Sequence, residues 1–237
     1  DARAGFEELA HLLREAPTHA PAWTLLGRLY LSLGRSSDAA QALARACSLD
    51  PAQATAWQGR VQIALDQHDG AAAEALARAG LAAVPDDAAL RHALAASLAV
   101  QDRATEAIAL LDAHLATSPD DAAGWRRLGE LLATERPADA VAAYRRSLAR
   151  APADAGTHHN LGLALEALGD REGALASMAQ AVAIDPRLWP AVSRLLLLKR
   201  QAADWVGLDA LSERLCAAAA DGAPGVDPFA LLAEPAD

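Results

Sequence analysis

Six prolines recur along this 237-residue chain, Pro17, Pro51, Pro85, Pro119, Pro152 and Pro186, at intervals of 34, 34, 34, 33 and 34 residues. Proline ends a helix because it has no N–H to donate and its ring crowds the preceding turn. A fixed interval of this kind therefore marks one small structural unit repeated along the chain. No single unit of that size can bury its own apolar face, so neighbours must stack to make a core. The period points to a line of packed helix pairs and away from one bulky globular core.

Composition says that the repeated element is helical. Alanine supplies 64 residues, whereas valine, isoleucine and threonine together supply 18, and aromatic residues are 4% of the chain. Strands are built from β-branched and aromatic side chains, so a β-rich fold is excluded; alanine and leucine are the best helix formers. At 53% hydrophobic the chain is also far from the disordered class. So much alanine fills little volume, which suits helices that approach closely.

The net charge of −10 and a pI near 5.1 argue against non-specific binding to nucleic acid or to anionic membranes. From Gln201 to Asp237 seven acids face one base, Arg214, so this stretch supplies −6. Residues 122–154 run the other way, with six arginines against four acids, which reads as a solvated helix face or a local basic patch. Cys47 and Cys216 fit no metal-ligand spacing and read as small buried hydrophobes of a reducing, cytoplasmic compartment. The sequence has no apolar run long enough to cross a membrane, and its start at Asp1 without Met suggests a processed chain or a fragment.

The residues between the prolines repeat as well. In residues 20–53, Trp23, Leu26, Gly27 and Tyr30 lie three and four apart on one face of a first helix. Ala39, Leu43 and Ala46 follow on a second helix, before Pro51, and residues 155–187 repeat the pattern as Leu161-Gly162, Ala174, Ala181 and Pro186. On these residues the chain resembles the tetratricopeptide repeat (TPR) family over nearly its whole length. That resemblance implies an all-α, right-handed superhelix of helix-turn-helix repeats at 20–53, 54–87, 88–121, 122–154 and 155–187. Phe6 to Ala16 reads as the second helix of an earlier unit, in a partial repeat or N-terminal helix over 1–19. Arg60, Arg91, His114 and His158 are polar departures from the pattern, expected to loosen packing locally.

In this family the first helices line a concave face, and their positions 2, 5, 9 and 12 usually contact ligand. Here that stripe and its edges carry Thr24, Arg28, Gln58, Gln62, His92, Arg126, Glu130, His159 and Asn160. Such a mixture of donors and acceptors suits an extended peptide backbone, so protein or peptide partners with broad specificity are expected. Two better-known modes of the family do not carry over. The carboxylate clamp of chaperone-binding members needs several Lys and Asn, and the chain has one of each, Lys199 and Asn160. The asparagine ladder of TPR glycosyltransferases needs Asn at position 6 of successive repeats, where Leu25, Gly59, Ala93 and Arg127 stand instead.

No catalytic, cofactor or metal constellation is expected. His158 and His159 are adjacent on a helix and point about 100° apart, and Asp66-Gln67-His68-Asp69-Gly70 falls in a turn, where Asp and Gly belong. After Pro186 the register loosens. A leucine-rich helix from Trp189 to about Arg200 and a second from Leu208 to Ala220 are predicted, with Asp204 capping the second. Residues 188–237 thus read as a capping helical hairpin with an extended tail. With Asp204-Trp205, Leu208-Asp209, Gly222 and Pro228-Phe229-Ala230-Leu231-Leu232, this stretch also resembles the junction between repeats and catalytic domain in bacterial O-linked N-acetylglucosamine transferases and Spindly-type glycosyltransferases. That implies a substrate-recruiting segment beside a catalytic domain. The capping hairpin, for its part, is expected to pack Trp205 and Phe229 against the last repeats. The rival expectation is a stand-alone TPR adaptor.

Overall fold

Every proline of the register follows the end of a helix by a few residues. In the computed structural model, which describes residues 2–227, six helices end just before them: α1 (Ala2–Glu15), α3 (Ser36–Leu49), α5 (Gly70–Ala83), α7 (Ala104–Thr117), α9 (Pro137–Leu148) and α11 (Arg171–Ile184). Each proline then leads into a first helix: α2 (Ala20–Ser32), α4 (Ala54–Asp66), α6 (Ala88–Val100), α8 (Ala122–Leu132), α10 (Ala155–Ala167) and α12 (Trp189–Gln201). A last helix, α13 (Leu208–Ala220), completes thirteen, and no strand occurs among the described residues. The chain divides into two compact units, residues 1–114 and 115–237.

Within each unit the repeat is a helical hairpin. Helices α2 and α3 pack together, as do α4 and α5 in the first unit and α8 with α9, α10 with α11 and α12 with α13 in the second. Helix starts are fixed by side chains that accept the otherwise unpaired first-turn N–H groups. His19 caps α2, and Asp69, Asp87, Asp121, Asp154 and Asp170 cap α5, α6, α8, α10 and α11.

Close approach inside a hairpin depends on a small residue at position 8 of the first helix. A Cβ on Gly27 would fall 2.5 Å from Leu43 Cγ, one on Gly129 would fall 2.6 Å from the Tyr144 ring, and one on Gly162 would fall 2.9 Å from Met178 Cε. Where that glycine is replaced by Val61, the partner position holds only Ala77, and both are buried. Small and large residues have exchanged places and the seam stays filled.

A second recurring bond ties each first helix to the proline before it. The indole N–H groups of Trp23, Trp57 and Trp125 donate to the carbonyls of Pro17, Pro51 and Pro119, each at 2.9 Å. At the same position Arg91 donates to Pro85 O at 2.5 Å, and His158 Nε2 meets Pro152 O at 3.0 Å. The carbonyl can only accept, so His158 carries its proton on Nε2. Arg91 and His158 therefore lose the indole but keep its bond, so these two departures preserve the tie to the proline. Of the other departures, Arg60 lies over the Trp57 ring at 5.2 Å, and His114 is buried beside Arg91, 3.3 Å from its guanidinium.

The C-terminal hairpin has the predicted limits, but its turn differs from expectation. Most first helices are followed by a three-residue turn; α12 is followed by six residues, Ala202 to Gly207. Asp204 does not cap α13, whose N-cap is Gly207 in the left-handed conformation. Instead Asp204 pairs with Lys199 and accepts the Val206 N–H at 3.1 Å, while Lys199 donates to Val206 O at 2.9 Å. Lys199 holds Asp204 below the ordinary carboxylate range. This clamped loop turns Trp205 and Val206 outward, 67% and 81% exposed, so Trp205 does not pack against the repeats. Phe229 lies outside the described residues. Cys47 is buried as expected; Cys216, expected to be buried as well, is exposed on α13.

Candidate functional site

The nine side chains read from the sequence as a ligand stripe have unequal freedom. Thr24 is buried, and its hydroxyl donates to Ala20 O at 3.2 Å. Gln58 donates to both carboxylate oxygens of Asp87, at 3.0 and 3.1 Å. Asp87 is the N-cap of the next first helix, so position 5 of one repeat is bound by the cap of the next. The second unit repeats the relation more loosely, with Arg126 Nε 3.7 Å from Asp154, the cap of α10. Gln62 is exposed and donates to Asp66 on its own helix at 2.7 Å. The ring of His92 meets that of His114 edge to face at 5.8 Å. Arg28 is exposed, with no partner among the described residues.

In the second unit three of the nine converge. A cleft of about 300 Å³ is lined by Glu130, Ala133, Thr134, Tyr144, Asn160, Leu163 and Ala164. Arg126 and Arg127 bond the two oxygens of Glu130 at 2.6 and 3.0 Å, so its charge is neutralised from outside the cleft. Tyr144 forms the deep wall. Burial, helped by the charge of Glu130, pushes its phenol far above its usual value, so it is a neutral hydroxyl. Asn160 is half-buried, and its amide makes no hydrogen bond to any described residue. Thr134 is exposed and equally unpaired, while Leu163 and Ala164 offer an apolar surface beside them.

His159 stands next to Asn160 with a different character. Its Nδ1 is buried without a hydrogen-bond partner, and burial, then the Arg194 charge, push its pKa down. Arg194 itself is held by Glu166. His159 is thus a neutral imidazole and adds no charge to the cleft.

Glu130 and Asn160 line the cleft and Arg126 supports it, whereas Thr24, Gln58 and Gln62 are spent on bonds within the first unit. Sequence reasoning missed Thr134, Tyr144 and Leu163. Leu163 occupies position 9, the same stripe as Arg28 and Glu130, and its register alone could have found it. In the arginine-rich stretch 122–154 most guanidinium groups have partners: Arg136 pairs with Asp139, Arg150 with Asp120, and Arg146 lies over Trp125 at 4.5 Å.

This architecture is found in known proteins. Residues 20–63, 59–122 and 155–188 match the tetratricopeptide repeat family, together more than half of the chain. The chain belongs to that family. No curated protein sequence matches it closely. Among solved structures it is similar to YrrB, described as a TPR protein with an unusual peptide-binding site, with 20% identity, a TM-score of 0.51, and coverage of 75% of this chain and 92% of that one. It is also similar to PilW, a type IV pilus biogenesis factor, with 20% identity, a TM-score of 0.70, and coverage of 84% and 92%. The Cut9–Hcn1 assembly of the APC/C gives a TM-score of 0.77 at 16% identity, covering 98% of this chain but 46% of the other. At these identities the likeness establishes the fold. No described helix is long and apolar enough to cross a membrane.

Proposed function

We propose that the chain is a protein-interaction scaffold whose C-terminal unit holds an extended peptide segment in the cleft between α8, α9 and α10. The observation that carries this reading is the unpaired Asn160 amide beside Leu163 and Ala164. A primary amide offers one acceptor and two donors, the complement of a peptide group, so it reads main chain with little regard to side-chain identity. Leu163 and Ala164 cover one apolar side chain of such a segment, and neutralised Glu130 demands no cation from it. The peptide-binding site named for YrrB is consistent with this use of the fold.

The test is selection of peptides from a displayed library of random twelve-residue sequences, followed by measurement of one selected peptide. Two hydrogen bonds at about 0.5–1.5 kcal/mol each correspond to roughly tenfold or more in affinity. Asn160→Ala is expected to weaken binding by that factor. Unchanged affinity contradicts the proposal.

A second reading makes the chain the substrate-recruiting part of a nucleotide-sugar-dependent protein glycosyltransferase, with the 188–237 segment against a catalytic domain. The sequence resemblance motivates it, and the outward Trp205 and Val206 give it a contact point. It predicts that the protein carrying this segment transfers N-acetylglucosamine to a selected peptide. Failure of transfer leaves the adaptor reading.

A further inference from the structure

In register, the second-helix residue that faces position 8 of the first helix is Leu43, Ala77, Leu111, Tyr144 and Met178 in the five repeats, all of them buried. Tyr144 is the member of this series that carries a hydroxyl. It is 2% exposed, and its ring lies so close under α8 that a Cβ on Gly129 would fall 2.6 Å from it. A buried tyrosine normally gives its hydroxyl a partner, and a buried polar group without one calls for a reason. The Tyr144 hydroxyl makes no hydrogen bond to any described residue. Nor is it sealed off: among the described residues the enclosed polar side-chain atom without a partner is Nδ1 of His159. The opening left to the Tyr144 hydroxyl is the cleft, whose deep wall it forms.

The neighbours decide what can meet that hydroxyl. Glu130 lines the same cleft, and its two oxygens are held by Arg126 and Arg127 at 2.6 and 3.0 Å. An acidic side chain entering the cleft would face the Glu130 carboxylate, and a basic one would face the two guanidinium groups that already hold it. An apolar side chain would take the hydroxyl out of water and leave it unpaired, which is how a hydrogen-bonding site rejects the wrong ligand. A neutral side chain with both an acceptor and a donor escapes all three penalties. A carboxamide has them on separate atoms: its oxygen takes the Tyr144 O–H, and its NH₂ is left for Glu130 or the Asn160 carbonyl. The volume of about 300 Å³ is on the order of ten times what a water occupies in the liquid, room enough for a glutamine side chain.

We infer that Tyr144 determines the specificity of the cleft by selecting, at one position of the bound peptide, a side chain that ends in a carboxamide, glutamine or asparagine. The inference rests on the peptide reading above and adds to it. Asn160 reads main chain in any sequence, whereas Tyr144 reads one side chain.

The test is to sequence the library peptides selected on the 237-residue protein and to measure one of them by calorimetry. One position is expected to be enriched in glutamine or asparagine. Replacing that residue of the peptide by leucine, or by glutamate, should weaken binding roughly tenfold, the loss of one hydrogen bond with its partner left unpaired. Tyr144→Phe keeps the ring against Gly129, and with it the helical circular dichroism, and removes only the hydroxyl. On that protein the carboxamide and leucine peptides should bind within about twofold of each other, so that the two changes are coupled in a double-mutant cycle. Asn160→Ala should weaken both peptides by the same factor. No enrichment, enrichment of a charged, apolar or hydroxyl-bearing residue, or a carboxamide preference that survives Tyr144→Phe overturns this inference and leaves the peptide reading standing. Library peptides that fail to bind, or that bind equally well without the Asn160 amide, overturn the peptide reading and this inference with it.

Discussion

Arg214 of α13 donates to the carbonyl of Pro186 at 2.6 Å, making from a different helix the bond that position 4 of the first helix makes in the five preceding repeats. At that position α12 carries Val192, which has no side-chain donor and is buried. The last hairpin is therefore held by its second helix. Arg214→Ala removes a charge-assisted bond worth about 1.5–3 kcal/mol. Amide exchange in α13 should accelerate accordingly while exchange in α2–α5 stays as it was. Equal acceleration in both regions would mean that the bond has no local role.

Glycines in helices should divide by what their Cβ would meet. Gly129→Ala places a methyl 2.6 Å from the Tyr144 ring, and overpacking of this kind costs about 1–3 kcal/mol. Gly5→Ala meets nothing and removes a helix-breaking residue, a gain of up to about 1 kcal/mol. Denaturant midpoints of the two variants should move in opposite directions.

The hairpin array was legible because each repeat states its own boundaries: the proline and the apolar stripe act locally. The hairpin of residues 188–220 could be placed to within a residue for the same reason. The pairing of the stripe residues was less legible, because it depends on partners 28 or 29 residues away. Gln58 and Arg126 look like free groove side chains until the next helix brings Asp87 and Asp154 against them. Arg91 and His158 look like losses of tryptophan until the proline carbonyl six residues back shows that an N–H is what the position requires. Asp204 looked like a helix cap; Lys199, five residues before it, takes it instead.

His159 gives the second unit a pH dependence with a definite sign. Its folded pKa is depressed, so the unfolded chain takes up a proton as pH falls below about 6.5 while the folded chain resists it. The stability it contributes is complete above that pH and is lost as pH falls towards the folded value. Wild-type stability should therefore drop further between pH 7 and pH 5 than that of His159→Gln, measured by denaturant unfolding at each pH. Parallel curves would show that His159 titrates normally.

Trp205 is large and aromatic, yet its removal should cost the fold little. Substitutions at exposed positions usually stay within about 0.5 kcal/mol, so Trp205→Ala should leave the unfolding midpoint nearly unchanged. A loss above 1 kcal/mol would mean that the indole packs on the chain.

The cleft in the second unit is tested most directly by following the Asn160 side-chain amide in ¹⁵N NMR spectra while a library-selected peptide is added. The Asn160 NH₂ signals should shift, with the backbone amides of Thr134 and Leu163, and all should stay still with a scrambled peptide that fails to bind; in Asn160→Ala protein the Thr134 and Leu163 shifts should need roughly tenfold more peptide. Binding that leaves Asn160 unmoved and shifts the outer faces of the second helices instead would contradict the proposed cleft.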